Sequence, residues 1–117
     1  MNLKSNLLKL VMELKNDKKS IIGYGAPAKG NVLLNYCNID NKIVDFIIDT
    51  TPLKQGKFTP GTHIPIYPPN KMKNKGVNVI SLLLAWNYKN EILENEQSFR
   101  NRGGKFLIPI PKPIIIS

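Results

Sequence analysis

The segment Ser20-Ile-Ile-Gly-Tyr-Gly-Ala-Pro-Ala-Lys-Gly-Asn31 decides the fold of this chain. Its apolar start predicts a buried strand, and Pro27 suits the first position of a helix because its φ is already fixed. The spacing Gly23-x-Gly25-x-x-Ala28 is typical of a strand that turns tightly into a helix beneath a dinucleotide. Since a helix N-terminus collects free N–H groups, the turn predicts an anion site. A turn that binds nothing is the alternative.

The rest of the chain alternates helical and strand patterns. Because the strands are apolar enough to be buried on both faces, we predict one α/β, Rossmann-like domain over residues 1–117, with a mostly parallel sheet flanked by helices. Pro109 predicts that the last strand lies at a sheet edge or ends there, and the apolar tail beyond it is broken by prolines. The predicted helices span residues 3–16, 27–36 and 88–102, and the strands span residues 20–23, 42–48, 64–66, 76–84 and 105–110.

The formal net charge of +9, from 17 basic and 8 acidic residues, raises the possibility of nucleic-acid binding. The lysines form only short scattered clusters, without interleaved aromatic residues or a recognition motif. Such a charge supports only weak, salt-sensitive association, so we predict no nucleic-acid partner. An acidic small ligand fits the charge better.

The single cysteine, Cys37, has no intramolecular partner, and its place on a predicted helix favours a buried structural thiol. A reducing cytoplasm is the compartment consistent with this cysteine usage. No long uncharged apolar span is present, and the first 20 residues do not resemble a signal peptide, so we expect no membrane association. One cysteine and one histidine cannot complete a zinc ligand set, and we predict no metal site.

Ligands of parallel sheets bind beyond the carboxyl ends of the strands, and this rule selects the candidate binding residues. Asp49 there suits either a ribose ligand or a turn cap, Trp86 suits a packing residue, and His63 suits a structural or exposed residue. We predict that the long loop over residues 49–69 borders the same cleft. No nucleophile elbow, carboxylate pair or Cys-His pair is recognisable, so we predict a binding site without catalytic residues. The candidates are Tyr24, Gly25, Ala26, Lys29, Asp49, His63, Trp86 and Asn87.

Several blocks of the sequence resemble, in the same order, the C-terminal domain of the S-adenosylmethionine-dependent sugar C-methyltransferases. The resemblance covers most of residues 20–111. The blocks are Gly23-Tyr-Gly-Ala-Pro-Ala-Lys-Gly-Asn-x-Leu-Leu-Asn35, Asp45-Phe, Asp49, Pro52-x-Lys-Gln-Gly56, Pro60-Gly-Thr-His-Ile-Pro65, Ala85-Trp-Asn87, Gly103-Gly-Lys-Phe and Pro109-Ile-Pro111.

This resemblance implies a domain that helps to bind a keto-deoxysugar carried on a nucleoside diphosphate. Complete enzymes of this kind also have a zinc-binding part and a central domain for S-adenosylmethionine, and neither is recognisable in this chain. We therefore expect S-adenosylmethionine and the catalytic base in a separate domain or subunit, and no methyl transfer by this chain alone. The resemblance adds Gly30, Asn31 and Gly61 to the motif residues. An excised domain, a separate subunit and a relic all remain open, as do a stand-alone NAD-binding domain and a structural docking module.

Overall fold

A six-stranded sheet crosses the computed structural model, which describes residues 3–117. Its elements are α1 (Leu3–Asn16), β1 (Ser20–Tyr24), α2 (Ala28–Tyr36), β2 (Ile47–Ile48), β3 (Ile66–Tyr67), β4 (Val79–Leu83), α3 (Lys89–Asn95), α4 (Gln97–Asn101), β5 (Lys105–Ile108) and β6 (Ile114–Ile116), with 3-10 turns at Pro69–Met72 and Trp86–Tyr88. The strand order is β3-β2-β1-β4-β5-β6. All neighbouring strands are parallel except β5 and β6, which confirms the predicted α/β fold.

Two layers of apolar side chains cover the faces of this sheet. On one face α1 and α2 bury Leu7, Val11 and Leu34 against β1, β2 and β4. On the other face α3 and α4 bury Ile92 and Phe99, and the Phe99 ring meets the Phe106 ring edge-on at 5.4 Å. Burial on both faces explains why β1 and β4 are continuous apolar runs.

The crossover direction changes between β1 and β4, the two strands that pair over five residues each. The chain passes from β1 outward to β2 and β3, and then returns to the other side of β1 for β4. In open parallel sheets the crevice at such a reversal is the usual ligand site.

The strand predicted over residues 42–48 is mostly a turn. The N–H groups of Ile43 and Val44 both donate to the carbonyl oxygen of Asp40, which closes a helical turn. Only Ile47 and Ile48 pair as a strand, although Val44 is fully buried. Val44 is buried without pairing to a neighbouring strand, and for this reason the sequence of residues 42–48 shows the apolar pattern of a strand.

The C-terminal third also differs from the predicted elements. The helix expected over residues 88–102 divides into α3 and α4 at Glu96, whose ψ of 34° is outside the helical range. The sequence predicted that the last strand either lies at a sheet edge or ends at Pro109. The strand β5 does end before Pro109, but it lies inside the sheet, between β4 and β6. The proline-broken tail forms β6, which takes the edge position.

The loop over residues 49–69 folds back on β3, which is Ile66–Tyr67 rather than residues 64–66. The Ile66 N–H donates to the Lys57 carbonyl, and the Ile66 carbonyl accepts from the Gly56 N–H. The loop therefore covers the outer edge of β3 and satisfies backbone groups that an edge strand leaves open.

Cys37 is fully buried and forms no disulfide. Burial raises the pKa of its thiol, and the nearby Lys4 ammonium opposes this in part. The structural role predicted for this thiol agrees with its position. Within residues 3–117, no helix has the length and apolar character needed to cross a membrane.

Candidate functional site

The glycines of the first turn allow α2 to approach the end of β4 closely. A Cβ atom at Gly25, where φ is +87°, would lie 2.8 Å from the Cβ of Ala85. A Cβ atom at Gly30 would lie 2.9 Å from the Cβ of Leu84. Both glycines are therefore required by packing, independently of any ligand.

Some backbone N–H groups of this turn donate hydrogen bonds within the protein, and others have no acceptor among residues 3–117. The Gly25 N–H donates to the Ile48 carbonyl at 2.6 Å, and the Ala26 N–H donates to Asp49 Oδ2 at 2.8 Å. Pro27 has no N–H group, and its side chain does not cap α2. Among residues 3–117, nothing accepts a hydrogen bond from the N–H groups of the first three residues of α2, 28–30. The free anion-binding capacity thus lies at the start of α2 rather than in the glycine turn.

Asp49 is buried and fastens the ends of β1 and β2 together. Its Oδ2 accepts the Ala26 N–H, and its Oδ1 accepts the Thr51 N–H at 2.8 Å. The Lys54 ammonium lies 3.9 Å from Oδ2 and donates to the Ala26 carbonyl at 3.0 Å. Of the two roles left open by the sequence, these bonds are those of a turn cap.

Two cavities adjoin this junction. The strand-end crevice, of about 340 Å³, lies over the reversal between β1 and β4. The loop cavity, of about 260 Å³, lies between α2 and residues 54–60. Ala26 and Lys54 line both. The strand-end crevice is also lined by Tyr24, Gly25, Pro27, Ile48, Asp49, Thr50, Thr51, Ala85, Tyr88, Glu91, Ile92 and Asn95, and the loop cavity by Asn31, Leu34, Ile47, Lys57, Phe58, Thr59, Pro60, Ile66 and Leu84.

Lys29 stands at the start of α2 with its ammonium 5.5 Å from the centroid of the Trp86 ring. The two side chains form a cation–π pair in which Trp86 also packs against the core. Neither Trp86 nor the exposed Asn87 lines the two cavities. Lys29 itself is exposed and is likewise absent from the lining of both cavities.

The predicted candidates do not all meet in one place. His63 has a φ of +54° and stacks its ring on Phe58 at 4.2 Å, outside the lining of either cavity. Gly61 belongs to the same loop as His63 and lies against the side chain of Asn35 on α2. Asn31 lines the loop cavity, and its Oδ1 is buried without a hydrogen-bond partner in the described part of the chain.

Sequence reasoning did not assign Lys54, Glu91 or Asn95 to the site, although all three line the strand-end crevice. Lys54 falls in a block that carries the family resemblance, which was an available signal. Glu91 and Asn95 carry no local signal, because only the packing of α3 beside β4 brings them to the crevice. The loop prediction is confirmed for Gly25, since residues 49–51 and Lys54 border the same crevice, but Trp86 is not in that lining.

Tyr24 closes the inner side of the crevice and donates its hydroxyl to Glu96 Oε2 at 2.6 Å. Burial raises the pKa of the Tyr24 phenol, and the carboxylate of Glu96 raises it further by accepting the bond and by its charge. The phenol is therefore a fixed hydrogen-bond donor at neutral pH. Its bond holds Glu96 against the sheet where α3 ends and α4 begins.

We expect Tyr24→Phe to lower the free energy of unfolding by about 1–2 kcal/mol at pH 7, because a buried hydrogen bond is lost. Above about pH 10 an unfolded tyrosine ionises while native Tyr24 stays protonated, so the stability contributed by Tyr24 is present below that pH and declines above it. In urea unfolding from pH 7 to 11, the free energy of unfolding should therefore fall more steeply with pH for the parent than for Tyr24→Phe. The exposed Tyr88 supplies the control, Tyr88→Phe. Parallel pH curves for the parent and Tyr24→Phe would contradict this linkage.

Within residues 3–117, no three His, Cys, Asp or Glu side chains lie close enough together to hold a metal ion. The strand-end crevice offers hydroxyl, amide and carboxylate groups for hydrogen bonding, and the start of α2 offers N–H groups with the Lys29 ammonium. Such groups suit a polar ligand that carries an anionic part.

Comparisons with known proteins place these features in a family context. The family model described as the C-methyltransferase C-terminal domain matches residues 1–111. The chain is 45% identical over 114 residues to the C-methyltransferase NovU of Streptomyces niveus. That alignment covers 97% of this chain and 27% of the relative, so the chain spans about a quarter of that protein's length.

Proposed function

Because this chain belongs to the C-methyltransferase C-terminal domain family, we propose that it binds the nucleoside-diphosphate sugar on which a methyltransferase acts. The membership confirms the family resemblance of the sequence blocks. In this proposal the sugar is a keto-deoxysugar, and S-adenosylmethionine and the methyl-transfer chemistry belong to a separate domain or subunit.

The uncapped first turn of α2 is the observation that carries the proposal. Pro27 lines the strand-end crevice and α2 begins at the next residue, so its three free N–H groups lie at the crevice margin. Lys29 belongs to this first turn, and its exposed side chain places its ammonium 5.5 Å from the centroid of the Trp86 ring. Backbone N–H groups, a helix dipole and an ammonium together favour a diphosphate.

The remaining lining of the crevice supports a sugar as the attached group. Thr50 and Thr51 lie on the side of β2, and Tyr88, Glu91 and Asn95 lie on the side of α3. These side chains offer both donors and acceptors, which the hydroxyl groups of a sugar require.

We expect Lys29→Ala to weaken the binding of thymidine diphosphate glucose by about 1–3 kcal/mol, because a charge-assisted hydrogen bond to the diphosphate is lost. Isothermal titration calorimetry measures the change. Lys105→Ala is the matched control, since Lys105 opens β5 at the opposite, amino edge of the sheet and is also exposed. Equal affinities of the parent and Lys29→Ala would remove Lys29 from the site, and a parent that binds no nucleotide sugar would overturn the proposal.

A second experiment tests the assignment of methyl transfer to another domain. The isolated chain, incubated with S-adenosylmethionine and a nucleoside-diphosphate keto-deoxysugar, should yield no methylated sugar by mass spectrometry. The same mixture with a methyltransferase domain added is the positive arm. A methylated product from the isolated chain would show that a catalytic site lies within it.

The strand order and the glycine spacing favour a second candidate, a stand-alone NAD-binding domain. In this chain the Gly25 and Ala26 N–H groups are already bonded, and the Asp49 carboxylate binds two backbone N–H groups. NADH titration followed by the fluorescence of Trp86 distinguishes the candidates: saturable quenching that NAD reverses would favour this one. A structural docking module, the third candidate, would bind a methyltransferase domain but neither nucleotide.

A further inference from the structure

The two edge strands of the sheet differ in how their outer backbone groups are satisfied. On β3, loop residues 56 and 57 exchange hydrogen bonds with Ile66 and cover the edge. On β6, among residues 3–117, only β5 exchanges backbone hydrogen bonds with residues 114–116, and Ile114 and Ile115 are each 40% exposed. β6 also has no charged side chain, a feature that commonly keeps an edge strand from pairing with another chain. The outer edge of β6 is therefore a candidate pairing surface.

The prolines that flank the β5–β6 ladder determine which backbone groups of β6 point outward. The register is Phe106↔Ile116, Leu107↔Ile115 and Ile108↔Ile114. In an antiparallel ladder, pairs that exchange two hydrogen bonds alternate with pairs that exchange none. If the middle pair were bonded, the next bonded pairs would be Pro109↔Pro113 and Lys105↔Ser117. The prolines have no N–H group, and no backbone bond joins Lys105 to Ser117. The bonded pairs are therefore the two outer ones, and the N–H and carbonyl groups of Ile115 point away from β5.

By the same alternation, Pro113 and Ser117 continue the outward row on either side of Ile115. Pro113 contributes a carbonyl but no N–H group. The Ser117 N–H group has no acceptor within residues 3–117, whereas the Ser117 carbonyl accepts hydrogen bonds from Arg100 Nε at 3.2 Å and Arg100 Nη2 at 2.8 Å. The outward row thus lacks a donor at one end and has an already satisfied acceptor at the other.

We propose that the outer edge of β6 pairs with the same edge of a second copy of this chain, antiparallel and about a two-fold axis at Ile115. The Ile115 residues of the two copies would exchange two hydrogen bonds, and each Ser117 N–H would donate to the Pro113 carbonyl of the other copy. The carbonyl that faces Pro113 in this arrangement belongs to Ser117, and Arg100 already satisfies it.

This hydrogen-bond pattern is the reason for choosing a second copy rather than the strand of another protein. An unrelated strand would place its own carbonyl opposite Pro113, where no donor is available, and an unsatisfied carbonyl in an interface is costly. None of residues 113–117 lines either cavity, so the inference is independent of the proposed function.

The side chains of β6 add apolar contacts to this pairing. The register would place Ile114 opposite Ile116 of the second copy on one face of the sheet, and Ile115 opposite its equivalent on the other face. A strand of three residues buries little surface, and the net charge of +9 on each copy opposes association. We therefore expect a weak dimer that salt strengthens by screening the charge.

Sedimentation equilibrium of the chain tests the association. A reversible monomer–dimer equilibrium should appear between about 10 µM and about 1 mM protein, as expected for a small interface. The dimer fraction at a given concentration should rise when the salt concentration is raised from about 0.05 M to about 0.5 M.

Variants at Ile115 test whether the outer edge of β6 is the surface that associates. Ile115→Lys keeps the backbone groups but would bring two ammonium groups together in the dimer, and Val77→Lys adds the same charge at a residue that is 72% exposed and lies outside β6. We expect Ile115→Lys to lower the association constant at least about tenfold relative to Val77→Lys. Ile115→Pro removes the outward donor without removing a bond to β5 and should have the same effect.

Amide hydrogen exchange, followed by NMR, locates the contact without a variant. The protection of the Ile115 amide should rise at least about twofold between the dilute and the concentrated sample, whereas the Ile114 and Ile116 amides, which already bond to β5, should change less. A monomer at every concentration would overturn the proposal. A dimer that Ile115→Lys leaves intact, or in which the Ile115 amide gains no protection, would also overturn it, because the copies would then associate through another surface.

Discussion

Substituting alanine for Gly25 is expected to lower the free energy of unfolding by about 3 kcal/mol. The residue has a φ of +87°, where a side chain costs about 1–2 kcal/mol. The new Cβ would also lie 2.8 Å from the Cβ of Ala85, and relieving such a contact in a packed interior costs about 1–3 kcal/mol. Denaturant unfolding of the parent and the variant measures the sum.

The structure offers a matched control at Gly56. That residue has a φ of +82°, but nothing lies within 4 Å of the position of its Cβ. Gly56→Ala should therefore show the cost of the backbone strain alone. Ala85→Gly, combined with Gly25→Ala, should recover the steric part of the loss. If Gly25→Ala costs no more than Gly56→Ala, close packing is not the reason for glycine at position 25.

Asp49→Ala should destabilise the fold by about 3–5 kcal/mol. The substitution removes two hydrogen bonds from backbone N–H groups to a carboxylate, each worth about 1.5–3 kcal/mol. It also leaves the Lys54 ammonium without its nearby negative charge. The large effect follows because Asp49 is buried at the junction of β1, β2 and the loop.

Asp45→Ala is the control, since Asp45 lies four residues earlier and is exposed. Thermal and denaturant unfolding of the two variants separates the roles left open for Asp49. A turn cap predicts loss of stability for Asp49→Ala alone. Unchanged stability together with loss of thymidine diphosphate glucose binding would instead identify Asp49 as a ligand residue.

Local patterns accounted for much of the fold. The spacing of leucines places α1 at residues 3–16, and the apolar runs at β1 and β4 indicate strands buried on both faces. The patterns were misleading where a residue is buried without pairing in the sheet, as at Val44, which is buried in a turn. They also failed at Glu96, where a hydroxyl from residue 24 meets the break between two helices.

The candidate site was only partly predictable for a related reason. Gly25, Ala26 and Asp49 were found because each follows directly on a strand, and the carboxyl ends of parallel strands share one edge of a sheet. Glu91 and Asn95 reach the same edge through the packing of α3, to which no local spacing points. His63 satisfied the sequence rule but lies stacked on Phe58 outside both cavities.

The sequence by itself determined the order of helices and strands from α1 to β4, the glycine turn into α2 and the family of the chain, because periodicity, turn residues and family motifs are properties of neighbouring residues. Only the tertiary structure decided which polar groups remain free to bind. The Ala26 N–H is taken by Asp49, 23 residues away, and the Ala26 carbonyl by Lys54, 28 residues away. Hydrogen bonds between distant segments form only when the chain has folded, and they leave the first turn of α2 and the two cavities beside it as the available surface.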